Sequence, residues 1–142
     1  EIYRLLAGFL DLVSEGPISE HLRRFFELRL LKLTGYEPVL DRCLSCRAPL
    51  DPQRTYRFFP QDGGVKCGRC GGDPYDALPI SIGALRTLLL GKEMALDKLS
   101  RLTVSPQAAR EMQAVLATFI RHHLGRDLKS LQVLNEIRKL CG

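Results

Sequence analysis

Tryptophan is absent from the 142 residues, and the aromatic side chains amount to six Phe and four Tyr. So small a supply excludes an extended aromatic platform for stacking single-stranded bases. No apolar run approaches the ~20 residues that span a bilayer as a helix, and the first residues show no basic, apolar and small-residue succession of a secretory signal. The usual catalytic signatures are missing as well: there is no Gly-rich phosphate loop of known form, no G-x-S-x-G and no H-E-x-x-H. Neither an internal repeat nor a low-complexity tract is present. Charge of one sign is in modest excess, a net +5, which suits a polyanionic partner without demanding one. With 45% apolar residues the chain can nonetheless bury a sizeable core, and that excludes intrinsic disorder.

Glu1 stands within a helical pattern, so the chain is expected to be the back part of a longer protein. Ile2, Leu5, Leu6, Phe9, Leu12 and Val13 follow the i, i+3, i+4, i+7 stripe of a first helix, which Gly16-Pro17 should end. A second helix is expected from Ser19, as N-cap, to about Thr34, with Gly35 as its stop. Leu22, Phe25, Phe26, Leu30 and Leu33 form its apolar face, widened by Leu28 and Leu31, while Arg23, Arg24, Arg29 and Lys32 line the other side.

From Glu37 onward helical periodicity is lost and prolines crowd in at Pro38, Pro49, Pro52, Pro60 and Pro74. Tyr56-Arg57-Phe58-Phe59 is short, β-prone and bounded by turn residues, and Gly63-Gly64 predicts a hairpin returning through Val65-Lys66. Helical patterning resumes after Pro79: Ser81 can cap a helix bearing Ile82, Leu85, Leu88 and Leu89, which Gly91 should end. Met94, Leu96 and Leu99 mark a short connector. Ser105-Pro106 starts a long helix with Ala109, Met112, Leu116, Phe119, Ile120 and His123 on one face and Gly125 at its end. A last helix is expected from about Ser130, through Val133, Leu134 and Ile137. The predicted fold is mainly α: residues 1–36 and 79–142 form a helical domain, interrupted at 37–78 by an inserted module without an apolar core of its own.

That insert carries four of the five cysteines. Cys43-Leu44-Ser45-Cys46 and Cys67-Gly68-Arg69-Cys70 give the C-x2-C…C-x2-C spacing of a structural zinc site. Two intervening residues let a tight knuckle present two thiolates to one tetrahedral ion, and Gly68 and Gly71-Gly72 supply the backbone freedom a knuckle needs. A module so poor in apolar residues needs a metal to hold it, and zinc contributes on the order of 10 kcal/mol. Cys43, Cys46, Cys67 and Cys70 are therefore the candidate ligands of one structural Zn2+.

Other cysteine chemistries fit less well. Nothing else points to an oxidising compartment, as two disulfides would require. A redox C-x-x-C belongs beside a βαβ unit, which is missing. A zinc deaminase needs His-x-Glu and Pro-Cys-x-x-Cys, and neither occurs. Four thiolates leave the metal no open position, so no catalytic residue and no enzymatic activity are expected. Cys141 reads as a bystander at the chain end. His21, His122 and His123 are not at metal-binding spacing with one another, and His123 on an apolar face suits packing.

Within residues 41–74, Arg42, Arg47, Arg54, Arg57, Lys66 and Arg69 oppose four aspartates, and a zinc tetrathiolate would add about two negative charges that cancel the surplus. The ribbon is thus a weak nucleic-acid candidate by net charge. Arg121, Arg126, Lys129, Arg138 and Lys139 form a C-terminal cluster better suited to holding phosphates. Arg23 and Arg24 beside the apolar face of the second helix could seat an acidic, apolar peptide.

The run Phe26-Glu27-Leu28-Arg29-Leu30-Leu31-Lys32-Leu33-Thr34-Gly35-Tyr36-Glu37-Pro38, then Cys43-x-x-Cys46, then Gly63-Gly64-x-x-Cys67-x-x-Cys70, with Leu128-Lys129-Ser130 near the end, resembles the C-terminal part of the RecO recombination mediator family. The resemblance spans nearly the whole chain, although some members lack the cysteines. It implies a helical domain with a zinc ribbon, preceded in the family by an OB-fold that this chain does not contain. It also implies a bacterial cytoplasmic, nucleoid-associated protein that anneals single strands and helps load the recombinase RecA on DNA coated by single-strand binding protein. The implied partners are RecR, the acidic-apolar tail of single-strand binding protein, and single- and double-stranded DNA, with Arg23 and Arg24 as candidates for the tail. A zinc-ribbon interaction module of a transcription or translation factor is the alternative.

Overall fold

A computed structural model of the chain describes residues 3, 4, 7, 8, 20–71, 77–99, 101–123, 136 and 138–140. Helix α1 (Glu20–Leu33) lies at the centre, with Phe25, Phe26, Leu28, Leu30 and Leu31 fully buried. Each such side chain stabilises by about 1.5–3 kcal/mol on burial. Gly35 ends the helix at φ 86°: its amide bonds the Lys32 carbonyl at 3.2 Å, and the Tyr36 amide bonds that of Leu31 at 2.8 Å. That pair of bonds closes the helix end, with glycine taking the left-handed position.

The polar side of α1 differs from expectation. Arg24 and Glu27 are buried rather than solvated. Arg29 donates to the carbonyls of Gly91 and Met94, satisfying the end of the next helix. The reason is that α1 packs against both α2 (Ile82–Glu93) and α4 (Pro106–His123), so a helix with a wide apolar surface is covered on several sides.

Helix α2 starts as its sequence foretells, with the Ser81 side chain accepting from the Ala84 amide at 3.2 Å. Its end does not: Gly91 is an interior, buried position and the C-cap is Met94. A Cβ at Gly91 would fall 2.3 Å from the Phe25 ring, so this glycine is a contact surface for α1 and not a stop signal. A short α3 (Leu96–Leu99) follows. Helix α4 begins at Pro106 with Ser105 Oγ accepting from the Ala108 amide at 3.2 Å, and it buries Ala108 and Val115 in addition to Met112, Leu116, Phe119 and Ile120.

Between α1 and α2 lies a three-stranded antiparallel sheet, ordered β2 (Gly64–Cys67), β1 (Tyr56–Phe59), β3 (Leu78–Ile80). The expected hairpin is present, turning through Gly63 at φ 76°. The third strand was not foreseen, because Leu-Pro-Ile is short and contains proline; Pro79 is tolerated on an edge strand, where one face of the ladder is unpaired. Phe58 of β1 meets Phe119 of α4 edge-on, with ring centroids 5.9 Å apart. Phe119 in turn packs on His123, whose Nε2 donates to the Pro60 carbonyl at 2.5 Å. Tyr56, Phe58 and Val65 thus join the same apolar core as the helices.

The fold is mainly α with a small sheet. No helix among the described residues is long and apolar enough to cross a membrane. Tyr3, Arg4, Ala7, Gly8, Glu136 and Arg138 to Leu140 are helical, while the other residues of the expected first and last helices, the expected Gly16-Pro17 break and Ser19 cap, and Gly125 lie outside the described residues.

Candidate metal centre

Two backbone turns build the site. In the first knuckle the Arg47 amide bonds the Cys43 carbonyl at 2.9 Å and Cys43 donates to Ala48 at 3.0 Å. Arg47 takes the left-handed conformation, φ 62°, a position that favours glycine. In the second knuckle the amides of Cys70 and Gly71 bond the Cys67 carbonyl at 3.0 and 2.9 Å. Cys67 closes β2, opposite Tyr56. The first knuckle is strapped alongside the same strand: the Val65 amide bonds the Val39 carbonyl at 3.0 Å, and the Leu44 amide the Val65 carbonyl at 2.8 Å. Gly64 makes this approach possible, since a Cβ there would lie 2.8 Å from the Val39 carbonyl oxygen.

The result brings four sulfurs from residues far apart in sequence to within 4.8 Å of one another. A tetrahedral ion with metal–sulfur bonds of ~2.3 Å sets the sulfurs ~3.8 Å apart, and Cys46 Sγ lies 4.0 Å from Cys67 Sγ. A disulfide would need ~2.05 Å. Cys43 and Cys67 are buried, Cys46 is exposed and Cys70 lies between. The four thiols fit one metal ion.

Local donors support negative charge there. Burial raises the Cys43 thiol, but backbone amides around Cys46, Cys67 and Ser45 outweigh it and hold it down at about 6. One of them, the Cys67 amide, points to Cys43 Sγ at 3.4 Å. Cys67 is lowered likewise, the Arg69 and Cys70 amides overcoming its burial. Cys70 goes the other way, to about 12, chiefly because it shares a hydrogen bond with Cys67 and then because of burial. Thiols this close cannot all ionise unaided, and a divalent cation removes that conflict.

Sequence reasoning missed Arg54. Its Nη1 stands 3.9 Å from Cys67 Sγ and 4.0 Å from Cys46 Sγ, with Asp51 3.7 Å from its Nε. The signal available was its place two residues before Tyr56, at the mouth of the hairpin that ends in Cys67.

The other candidates are placed as follows. Arg24 is 7% exposed and bonds Glu27 at 2.7 Å; Arg23 approaches the same carboxylate at 3.9 Å with its side chain 23% exposed. Arg138 is half-buried and acts on Glu27 too, which joins one member of the C-terminal cluster to the α1 arginines. Arg121 is exposed and donates to Thr118 Oγ1 at 3.4 Å, and Lys139 is exposed beside Glu136. Arg126, Lys129 and Cys141 lie outside the described residues.

A family model described as "Recombination protein O C terminal" matches residues 1–132. Among curated relatives, "DNA repair protein RecO" of Syntrophus aciditrophicus (strain SB) is 51% identical over 142 residues, covering 99% of this chain and 55% of the relative. The protein of that name from Anaeromyxobacter sp. (strain K) is 35% identical over 142 residues, covering 100% and 56%. That of Roseiflexus sp. (strain RS-1) is 34% identical over 138 residues, covering 97% and 48%. The chain spans about half the length of these relatives. No solved structure matches it.

Proposed function

This chain belongs to the RecO family, matching its C-terminal part, and from that membership we propose that it is the helical and zinc-ribbon part of a recombination mediator in DNA repair. The observation that carries the reading is the match over residues 1–132, which encloses the four-thiol cluster. On this reading Cys43, Cys46, Cys67 and Cys70 hold one structural Zn2+, and a closed shell of four thiolates gives the segment no catalytic metal position. Strand annealing and RecA loading belong to the whole mediator, in the cytoplasm at the nucleoid. This segment serves it by holding partners: RecR, and the acidic-apolar tail of single-strand binding protein, alongside contacts to DNA.

For the tail, Arg23 is the better placed of the two α1 candidates, because Arg24 is engaged with Glu27 below the surface. The test is fluorescence anisotropy with a labelled tail peptide, and a pull-down with RecR, using chain that carries one zinc. Binding of either partner is expected, with the tail weakened at least about tenfold by Arg23→Glu, a charge-reversal loss of the size seen at contacted ion pairs. Zinc-loaded chain that captured neither partner would overturn the reading.

A further inference from the structure

A groove of about 540 Å³ runs between β1, β3 and the first turns of α4. Buried Tyr56 and Ile80, exposed Arg57 and Arg110, and half-buried Arg54 are among its lining residues. The three guanidinium groups come from three different places in the chain: the turn before β1, β1 itself, and α4. Arg54 has Asp51 at 3.7 Å. The Arg57 and Arg110 side chains have no hydrogen bond or ion pair among the described residues. The lining carboxylate, Glu111, is already occupied, accepting from the Ser81 amide at 2.6 Å and the Gln107 side chain at 3.2 Å.

The sheet gives no structural reason for a cation at Arg57. Its cross-strand neighbours are Lys66 on β2 and Pro79 on β3, and like charges directly opposite in a ladder destabilise it. Lys66 keeps its own anion, Asp62 at 2.9 Å. A smaller hollow of about 210 Å³ adjoins the groove and is lined by Thr55, Arg57, Lys66 and Gly68. Arg57 lines both hollows, with Arg110 in the larger one and Lys66 in the smaller. Cations spread over two adjoining hollows match an anion with repeated charges.

We propose that this groove is a track for the phosphodiester backbone of a nucleic-acid strand, held principally by Arg57 and Arg110. Pro79, Ile80 and Ile82 also line the groove, so an acidic peptide is the competing occupant; the cations around it favour a polyphosphate strand. Tyr56 is buried and cannot stack a base, so the track holds phosphates without reading sequence. The near-neutral net charge of the ribbon conceals this, because its anions, the thiolates and Asp62, are spent on Arg54 and Lys66.

The inference rests on the reading above only in taking DNA as the probe. The experiment titrates the zinc-loaded chain against a labelled oligothymidylate of about 20 nucleotides, long enough for a single-strand site, at several salt concentrations. Arg57→Gln with Arg110→Gln should weaken binding at least about tenfold at low salt and lower the salt slope by about 1.4, the share of two single-strand phosphates. Arg57→Lys with Arg110→Lys should keep the slope. Arg86→Gln with Arg101→Gln, equally exposed but outside the groove, should change affinity far less. Failure of the parent chain to bind, an unchanged slope in the glutamine variant, or an equal loss in the control pair would overturn the track. So would competition by a polyglutamate peptide as effective as that by unlabelled oligonucleotide. RecR and tail binding are scored separately, so loss of the groove and loss of the mediator reading are told apart.

Discussion

At the scale of single residues, charge at two positions is set by what faces it. Arg54 stands over the Cys46 and Cys67 sulfurs, where it offsets part of the negative charge that four thiolates concentrate. In chain loaded with Zn2+, Arg54→Gln is expected to leave the fold intact and to speed loss of the ion to a chelator by about tenfold, the usual scale for a group that supports metal ligands; an unchanged release rate in a colorimetric chelator assay would refute this. Glu27 is the second case. Burial raises its carboxyl above the ordinary 4.5, and Arg24, Arg138 and Arg23 offset only part of that. A carboxyl whose pKa is raised in the folded state holds its proton more tightly there than when unfolded. Its contribution to stability is thus fully present below the unfolded value and is lost as pH rises through the folded one. The parent should therefore gain stability relative to Glu27→Gln as pH falls from about 7 to 4. Denaturant titrations of both proteins across that range check the sign, and a flat difference would contradict it.

At the scale of elements, helix starts were legible and one helix end was not. Ser81 and Ser105-Pro106 act locally, through side-chain oxygens that accept the first free amides, so a single sequence suffices to find them. Gly91 was misread because its role is set by a partner distant in sequence, the Phe25 ring of α1. Gly91→Ala should cost about 1–3 kcal/mol through overpacking against the Phe25 ring, seen as a fall in melting temperature of several degrees. The hairpin was readable from β-prone residues and Gly63-Gly64, but β3 was not, since a three-residue strand containing Pro79 has no periodicity to detect. Arg29 was assigned to a solvated side, yet it satisfies carbonyls at the end of α2; only the crossing of the two helices turns it inward.

At the scale of the whole molecule, ribbon and helices are joined through one core. Phe58 meets Phe119 and His123 reaches Pro60, so the sheet is a wall of the helical core as well as the carrier of two thiols. Stripping the ion from Zn2+-loaded chain with a strong chelator should therefore destabilise the entire chain in one transition, because a four-thiolate zinc site, worth on the order of 10 kcal/mol, would anchor part of a shared core. Circular dichroism and hydrogen exchange on α4 would report it; an α4 unaffected by chelation would show instead that the ribbon melts alone. The amino-acid sequence alone determined the four-cysteine set, the mainly helical class and the family resemblance, since cysteine spacing, capping residues and helical stripes are short-range chemistry written along one chain. Tertiary structure decided which charges remain available. It buried Arg24 on Glu27, spent Lys66 on Asp62, and left Arg57 facing a cation across the sheet. Electrostatic partnership depends on distance in space, and net charge over a stretch of sequence averages that distance away.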